Sequence, residues 1–336
     1  MLQELTAQVM QGVDLSQAQA EAALEMMLQE ETPDVAIASF LSALAMKGES
    51  PDEIAGFARV MRNHVIAIRS KYPNTIDTAG TGGGLDTFNI STTAAFVIAG
   101  AGFPVAKHGN RAITSRCGSA DVLSALGVNV MNSPDVAEAC LNEIGLTFMF
   151  APLFHPSMKR VALIRRQIGH RTVFNLLGPL TNPASAPFQV VGVYSPALTE
   201  KLAVALGQLE CRRAWVVHSH DGLDELSTGA PARISEIGPD GTKTFDFDPR
   251  EYGLSPADWS TLRGGTPEEN AAVTAGILRG DVNGAARDVV VLNAAAAIHL
   301  ASDLDFGEAI EKARESIDSG AALEKMELLK EAYERA

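Results

Sequence analysis

The residues best placed to do chemistry begin at a glycine cluster. Gly80, Gly82, Gly83 and Gly84 stand within five positions, three residues after Asp77, and Asn89, Ser91 and Thr92 follow. Glycines let a backbone fold tightly and turn bare N–H groups toward an anion. A strand is expected to end at Asp77 and a helix to begin near Ser91 or Thr92. The positive end of that helix would add to the same field. Asn89, Ser91 and Thr92 supply donors and metal-capable oxygens. A tight surface loop with a Ser/Thr cap is the alternative. The strand before, the helix after and the hydroxyls in register favour phosphate binding. The spacing is neither a Walker A, since no Gly-Lys-Ser/Thr follows, nor the dinucleotide GxGxxG.

Two further clusters could share the work. Lys107, His108, Asn110 and Arg111 follow a short apolar run, and Ser119 sits at a second helix start. Ligands of open α/β sheets bind beyond the carboxyl ends of the strands, so Lys107 and Arg111 are candidates for anionic oxygens and His108 and Asn110 for neutral recognition. A polar surface loop is the competing reading. Asp221, Asp224 and Glu225 follow another apolar run. Adjacent carboxylates there suit Mg²⁺, which takes a few carboxylates plus phosphate oxygens and water. The alternative is a solvated acidic turn. His218 and His220 lack a third ligand spaced for a transition metal. The segment from Phe154 to Pro183, with Arg165, Arg171, Gly178 and two prolines in its last turn, reads by itself only as a rigid connection.

Elements must bring these clusters together. Residues 1 to about 70 read as helices only. Asp14 is expected to cap a helix through about Glu30, and Thr32 before Pro33 to start a second. Ser50, Pro51 and Glu53 give a capping box with Pro at the first helical position. From Asn74 the texture changes. Apolar runs at 74–78, 105–108, 147–151, 189–194 and 214–218 alternate with helical patterns, which implies βαβ units and a mainly parallel sheet. Runs at 232–237 and 242–247 flank a turn and predict a hairpin. The last ~70 residues return to helix, opened by a capping box at Thr266 and Glu269.

Composition narrows the partners. The chain has 336 residues, 46% hydrophobic and 20% charged, the balance of a folded globular protein. Its formal charge of −14 argues against nucleic acid as a partner. Three widely spaced cysteines form no disulfide framework or metal pattern. No secretory signal is visible, and the apolar runs at 94–106 and 289–301 are too short or too interrupted to span a bilayer. The expectation is a cytoplasmic protein that does not engage membranes.

Taken in order, these segments resemble the anthranilate phosphoribosyltransferases. The likeness rests on the glycine loop at 80–83, the stretch 87–92, Lys107-His108-Gly109-Asn110-Arg111, the stretch 118–127, Arg165 ahead of 172–183, and Asp224-Glu225. It covers essentially the whole chain. The resemblance implies an α/β protein with a small all-helical domain plus a large α/β domain, a central mostly parallel sheet, and a cleft between the two. The helical domain would be 1–72 with about 165–187 contributing, and the α/β domain 73–164 and 188–336. The implied activity moves the phosphoribosyl group of PRPP to the amine of anthranilate, a step of tryptophan biosynthesis. PRPP contacts would fall on Gly80, Gly82, Gly83, Thr87, Asn89, Ser91, Thr92, Lys107 and Ser119. Anthranilate contacts would fall on Gly80, His108, Asn110, Arg165 and Gly178. The metal site would use Ser91, Asp224 and Glu225 for Mg²⁺, two ions accompanying PRPP. No residue is assigned as acid or base. A homodimer through the helical domain is implied. A pyrimidine nucleoside phosphorylase-like enzyme and a non-catalytic nucleic-acid-binding paralogue are the competing readings. One departure stands out: Gly84-Leu85-Asp86 makes the glycine loop one residue shorter than the family's, without its usual Asp.

Overall fold

The computed structural model describes residues 2–112 and 116–335. Four helices open the chain: α1 (Leu2–Met10), α2 (Gln17–Leu28), α3 (Asp34–Lys47) and α4 (Pro51–Asn63). The box at Ser50 and Glu53 forms as expected. The cap of α2 is Ser16, not Asp14. Gln19 stands at the third helical position and returns the bond, which Asp14 has no partner to do. Asp14 pairs with Lys47 instead. Thr32 does not start α3 either. Its hydroxyl donates to the Met26 carbonyl, and Pro33 takes the cap position without a side-chain bond.

Strands and helices then alternate: β1 (Ile76–Gly80), α5 (Ile90–Gly100), β2 (Val105–Gly109), α6 (Ser119–Ala125), α7 (Pro134–Ile144) and β3 (Leu146–Phe150). Three helices follow without a strand: α8 (Ala151–Phe154), α9 (Lys159–Ile168) and α10 (Phe174–Leu177). The sheet resumes with β4 (Phe188–Gly192), α11 (Leu198–Gln208), β5 (Arg213–Ser219), β6 (Ala232–Gly238) and β7 (Gly241–Phe247). The chain closes on α12 (Pro267–Leu278), α13 (Ala285–Leu300), α14 (Phe306–Asp318) and α15 (Ala321–Glu334).

The seven strands lie in the order β3-β2-β1-β4-β5-β6-β7. The first five are parallel, and β6 and β7 form the antiparallel hairpin the sequence predicts. The chain runs outward from β1 through β2 to β3, then returns to place β4 on the other side of β1. That reversal opens a crevice beyond the carboxyl ends of β1 and β4, where doubly wound sheets hold ligands. β1 runs two residues further than the 74–78 run, because Ala79 and Gly80 pair with Val191 and Gly192.

Two large cores explain the layers. On one side α5 and α13 pack almost wholly buried against the sheet, α5 with Ala94, Phe96, Val97 and Ile98, α13 with Val289 through Ile298. Helices apolar all round must be covered on every side, and α12, α14 and α15 complete the cover. Tyr333 ties α15 to β3. Its hydroxyl donates to the Phe148 carbonyl at 2.9 Å and accepts the Phe148 amide at 3.0 Å. On the other side Leu24, Phe40, Leu41, Ile54 and Phe57 of the N-terminal helices share one core with Ile164, Phe174, Leu177 and Leu180, and with Val191 and Val216 of the sheet. The stretch from α9 to α10 is therefore held by the N-terminal helices although it lies far along the chain.

Candidate active site

A cleft of about 580 Å³ sits at the reversal point. The turn after β1, the end of β2, the start of α6, the α9–α10 region and the loop after β5 all reach it. Gly80, Gly82, Gly83, Thr87, Asn89, Ser91, Thr92, Lys107, His108, Asn110, Ser119, Gly178, Asp224 and Glu225 line one continuous space. Arg165 is not among its lining residues.

The glycine turn needs its glycines. Gly82 and Gly83 have φ of 64° and 86°, a region L side chains rarely adopt. The Thr81 amide donates to the Gly192 carbonyl at 2.9 Å, which anchors the turn to the end of β4. A Cβ on Gly192 would stand 1.7 Å from the Asp224 carbonyl oxygen, so only glycine lets the loop after β5 approach this strand. The start of α5 stands across from the turn. Asn89 caps it without a side-chain bond to the helix. Its side chain is instead fixed at both ends, donating to the Cys117 carbonyl at 3.2 Å and accepting from Asn270 at 3.0 Å.

Lys107 crosses beneath the turn, 4% exposed. Its ammonium bonds the Thr78 carbonyl and lies 3.4 Å from the Ser91 hydroxyl. Burial lowers its pKa, and the nearby Asp77 and Glu225 charges oppose that. Burial pushes Asp77 up to about 6, against the pull of Lys107. Asn182 donates to Asp77 at 2.7 Å and to the Ala106 carbonyl at 2.8 Å, and the His108 amide donates to Asp77 at 3.2 Å. This buried group sets β1 and β2 side by side.

Glu225 is pushed up to about 8 by burial and by the adjacent Asp224, while Lys107 and the amide and hydroxyl of Ser91 draw it back. Burial also raises Asp224, opposed by the Gly84 amide. Two half-buried carboxylates side by side repel one another and favour a shared cation. Their hard oxygens, with the Ser91 hydroxyl beside them, fit Mg²⁺ completed by phosphate and water. Among the described residues no cluster of three or more His, Cys, Asp or Glu side chains could hold a metal by itself. An ion here therefore depends on its ligand's oxygens.

His108 is neutral at pH 7. Burial lowers its pKa to about 3, and the neighbouring His155 ring, 5.2 Å away, adds to the effect. Its Nδ1 lies 3.1 Å from the Gly178 carbonyl, which only accepts, so Nδ1 carries the proton. Nε2 is then a buried acceptor with no partner among the described residues. Asn110 is set by Ser119, whose hydroxyl accepts the Asn110 amide at 3.2 Å. Arg111 lines the cleft but pairs with Asp121 at 2.9 Å. Arg165, on α9, lies with its guanidinium 5.1 Å from the Phe174 ring centroid. Burial lowers its pKa, and no carboxylate among the described residues pairs with it. It is a half-buried cation without a counter-charge among the described residues.

The sequence reading passed over several participants. Arg171, Asn175 and Pro179 line the cleft, and Asn182 braces Asp77. All four lie in the segment read only as a rigid connection. The signal available was polar density in an apolar run, with Arg171, Asn175 and Asn182 interleaved among Val, Phe and Leu.

A helical bundle joined to an α/β sheet with a phosphate-suited crevice defines a glycosyltransferase class. Residues 3–65 match the model described as "Glycosyl transferase family, helical bundle domain", and 72–323 match "Glycosyl transferase family, a/b domain". The anthranilate phosphoribosyltransferase of Moorella thermoacetica is 51% identical over 331 residues, 98% of this chain and 97% of that protein. The crystal structure of the enzyme of that name from Thermus thermophilus superposes with a TM-score of 0.92 at 40% identity, covering 99% of each chain. The Saccharomyces cerevisiae enzyme in complex with PRPP and Mg has a TM-score of 0.90 at 30% identity, covering 100% of this chain and 98% of that one. The chain belongs to the anthranilate phosphoribosyltransferase family.

Proposed function

We propose that the chain transfers the phosphoribosyl group of PRPP to the amine of anthranilate, giving N-(5-phosphoribosyl)anthranilate and pyrophosphate. The observation that carries this reading is one cleft holding the left-handed glycine turn, Lys107 and the Asp224–Glu225 pair together. Each handles negative charge by a different means: bare amides, a buried ammonium, and carboxylates that recruit a cation.

PRPP would lie with its pyrophosphate against Gly80, Gly82, Gly83, Ser91 and Thr92, with Thr87, Asn89 and Ser119 as further donors. Asp224, Glu225 and Ser91 would hold Mg²⁺, which would supply charge neutralisation for the leaving diphosphate. Lys107 meets the same developing charge from below, fixed in advance by its bonds to Thr78 and Ser91, so it needs no reorganisation. As the C1–O bond to pyrophosphate breaks, the ribose becomes oxocarbenium-like. The amine nitrogen then bonds to C1 from the opposite face, pyrophosphate keeps the electron pair of the broken C1–O bond, and the amine gives up one proton to pyrophosphate or water. An aromatic amine is unprotonated at pH 7, so no strong base is required and positioning does most of the work. His108 Nε2, an acceptor without a partner, suits an amine N–H. Asn110 and the Gly80 and Gly178 backbone would complete the anthranilate contacts.

Arg165 supplies the counter-charge for the anthranilate carboxylate. Its support is the missing partner: a half-buried guanidinium with no carboxylate beside it among the described residues fits a carboxylic acid ligand. Arg165→Ala is expected to raise the KM for anthranilate about tenfold to a hundredfold, the worth of a charged hydrogen-bonded pair, with little change in the KM for PRPP. Equal rises in both would remove the assigned role. The reaction itself is tested by following anthranilate fluorescence on adding PRPP and Mg²⁺. Fluorescence that persists, with turnover of a nucleoside and inorganic phosphate instead, would point to a phosphorylase.

The helical domain, 1–72 with about 165–187, is the surface through which two copies would pair. Met10, Val35 and Met46 on α1 and α3 are exposed apolar side chains on helices that pack together. Sedimentation at micromolar concentration should give twice the chain mass; a single chain mass would refute the pairing. No helix among the described residues is long and apolar enough to cross a membrane. A cytoplasmic enzyme acting on small molecules, with two Mg²⁺ ions brought in with PRPP and no nucleic-acid partner, completes the reading.

A further inference from the structure

The peptide between Gly83 and Gly84 is held from both sides. Arg171 Nη2 donates to the Gly83 carbonyl at 2.9 Å. On the other side Gly84 lies directly against the Asp224 carboxylate, close enough that any side chain there would meet it. The Arg171 bond on the carbonyl and the Asp224 carboxylate packed against Gly84 together restrict how that peptide can turn. A side chain at either position would require Arg171 or Asp224 to move. A Cβ on Gly83 would stand 2.3 Å from Arg171 Nη2, and a Cβ on Gly84 would stand 2.4 Å from an Asp224 carboxylate oxygen. Gly83 also has φ of 86°, so the turn by itself has wide freedom that something must remove.

Arg171 is itself well anchored. Its guanidinium lies 4.0 Å from the Tyr194 ring centroid, just beyond β4. Its backbone connects α9 to α10, whose Ile164, Phe174 and Leu177 are locked in the core of the N-terminal helices. A side chain rooted in the helical layer therefore reaches across the crevice to the glycine turn. Asp224 is the second anchor and one of the two carboxylates assigned to the metal. The turn is the segment in which this chain is one residue shorter than the family pattern.

We infer that Arg171 is a positioning residue for the glycine turn, holding the Gly83 carbonyl so that the turn amides face the diphosphate and Gly84 stays on Asp224. The inference rests on the PRPP reading above and deepens it. Arg171 links three parts that the reaction needs in register: the helical layer, the diphosphate cradle and a metal-holding carboxylate. The turn and the metal share Asp224, so a loose turn weakens metal-bound PRPP before it touches anthranilate.

Arg171→Met keeps the length of the side chain and removes its donors. In the ligand-free protein, the bonded amides that flank the turn, Thr81 on the Gly192 carbonyl and Thr87 on the Leu85 carbonyl, should exchange with deuterium about tenfold faster, the scale of one lost charged hydrogen bond. In the same variant the KM for PRPP should rise by about the same factor while the KM for anthranilate stays within about twofold. Tyr194→Leu removes the ring under the guanidinium and should move both readouts the same way by less; it decides the matter if Arg171→Met does not fold. A raised KM with unchanged exchange would mean that Arg171 touches PRPP directly, and would overturn the inference. Faster exchange with unchanged KM, or equal rises in both KM values, would overturn it as well. The exchange measurement needs no turnover, so an inactive wild-type protein would remove the functional reading separately.

Discussion

Replacing Asp224 by Asn and Glu225 by Gln together is expected to lower kcat/KM for PRPP by about three orders of magnitude, roughly 4 kcal/mol of transition-state stabilisation, and to leave the residual rate indifferent to added Mg²⁺. The size follows from the geometry. Both carboxylates are half-buried on the same cleft, and desolvation and the adjacent Asp224 push Glu225 up to about 8. Both shifts favour a cation beside the pair, and the amides of the double variant remove the charge that attracts one. The substitutions nearly keep shape, so the bonds of residue 225 to Ser91 and of residue 224 to Gly84 lose charge rather than their partners. A Mg²⁺ titration of activity reads the effect directly. An unaltered response to the metal would take both carboxylates out of the mechanism.

Lys107→Met should lower kcat by about a hundredfold to a thousandfold, the scale found when one preorganised donor to a developing oxyanion is lost. Methionine matches the length and apolar stem, so the change isolates the ammonium. That ammonium is fixed before PRPP arrives, by Thr78 and by proximity to Ser91, and it sits in a buried layer where a charge acts over longer distance than in water. The substitution also leaves Asp77 without its cation. Asn182 and the His108 amide still satisfy Asp77, which should keep β1 and β2 in register. Thermal unfolding of the variant should therefore shift far less than its rate. Activity within tenfold of wild type would show that the diphosphate leaves without help from this residue.

Much of the architecture was legible because it is local. Ser50-Pro51-Glu53 and Thr266-Glu269 are capping boxes that close within one turn, and both form. The apolar runs that became β2, β3, β4 and β5 are short, rich in β-branched and aromatic residues, and bounded by breakers, which gave each within a few residues. Asp14 and Thr32 were misread for a related reason. Several polar residues near a helix start compete for the cap, and the winner is decided by which can be answered three residues later, as Gln19 answers Ser16. Boundaries of β1 were short by two residues because Ala79 and Gly80 become strand only through pairing with a distant partner, β4.

By itself the sequence determined which segments carry charge-handling chemistry: a glycine cluster, a lysine at a strand end, and adjacent carboxylates at another. Residue type and spacing are properties of a chain, and they survive without coordinates. Only the tertiary structure decided that these three face one cleft, that Arg165 stands off its lining with no counter-charge, and that Arg171 and Asn182 reach in from a stretch that reads as mere connection. Those facts depend on β4 returning beside β1 and on α9 and α10 packing with helices more than a hundred residues earlier. Contacts of that range are fixed by burial of whole faces, which no short window of residues records.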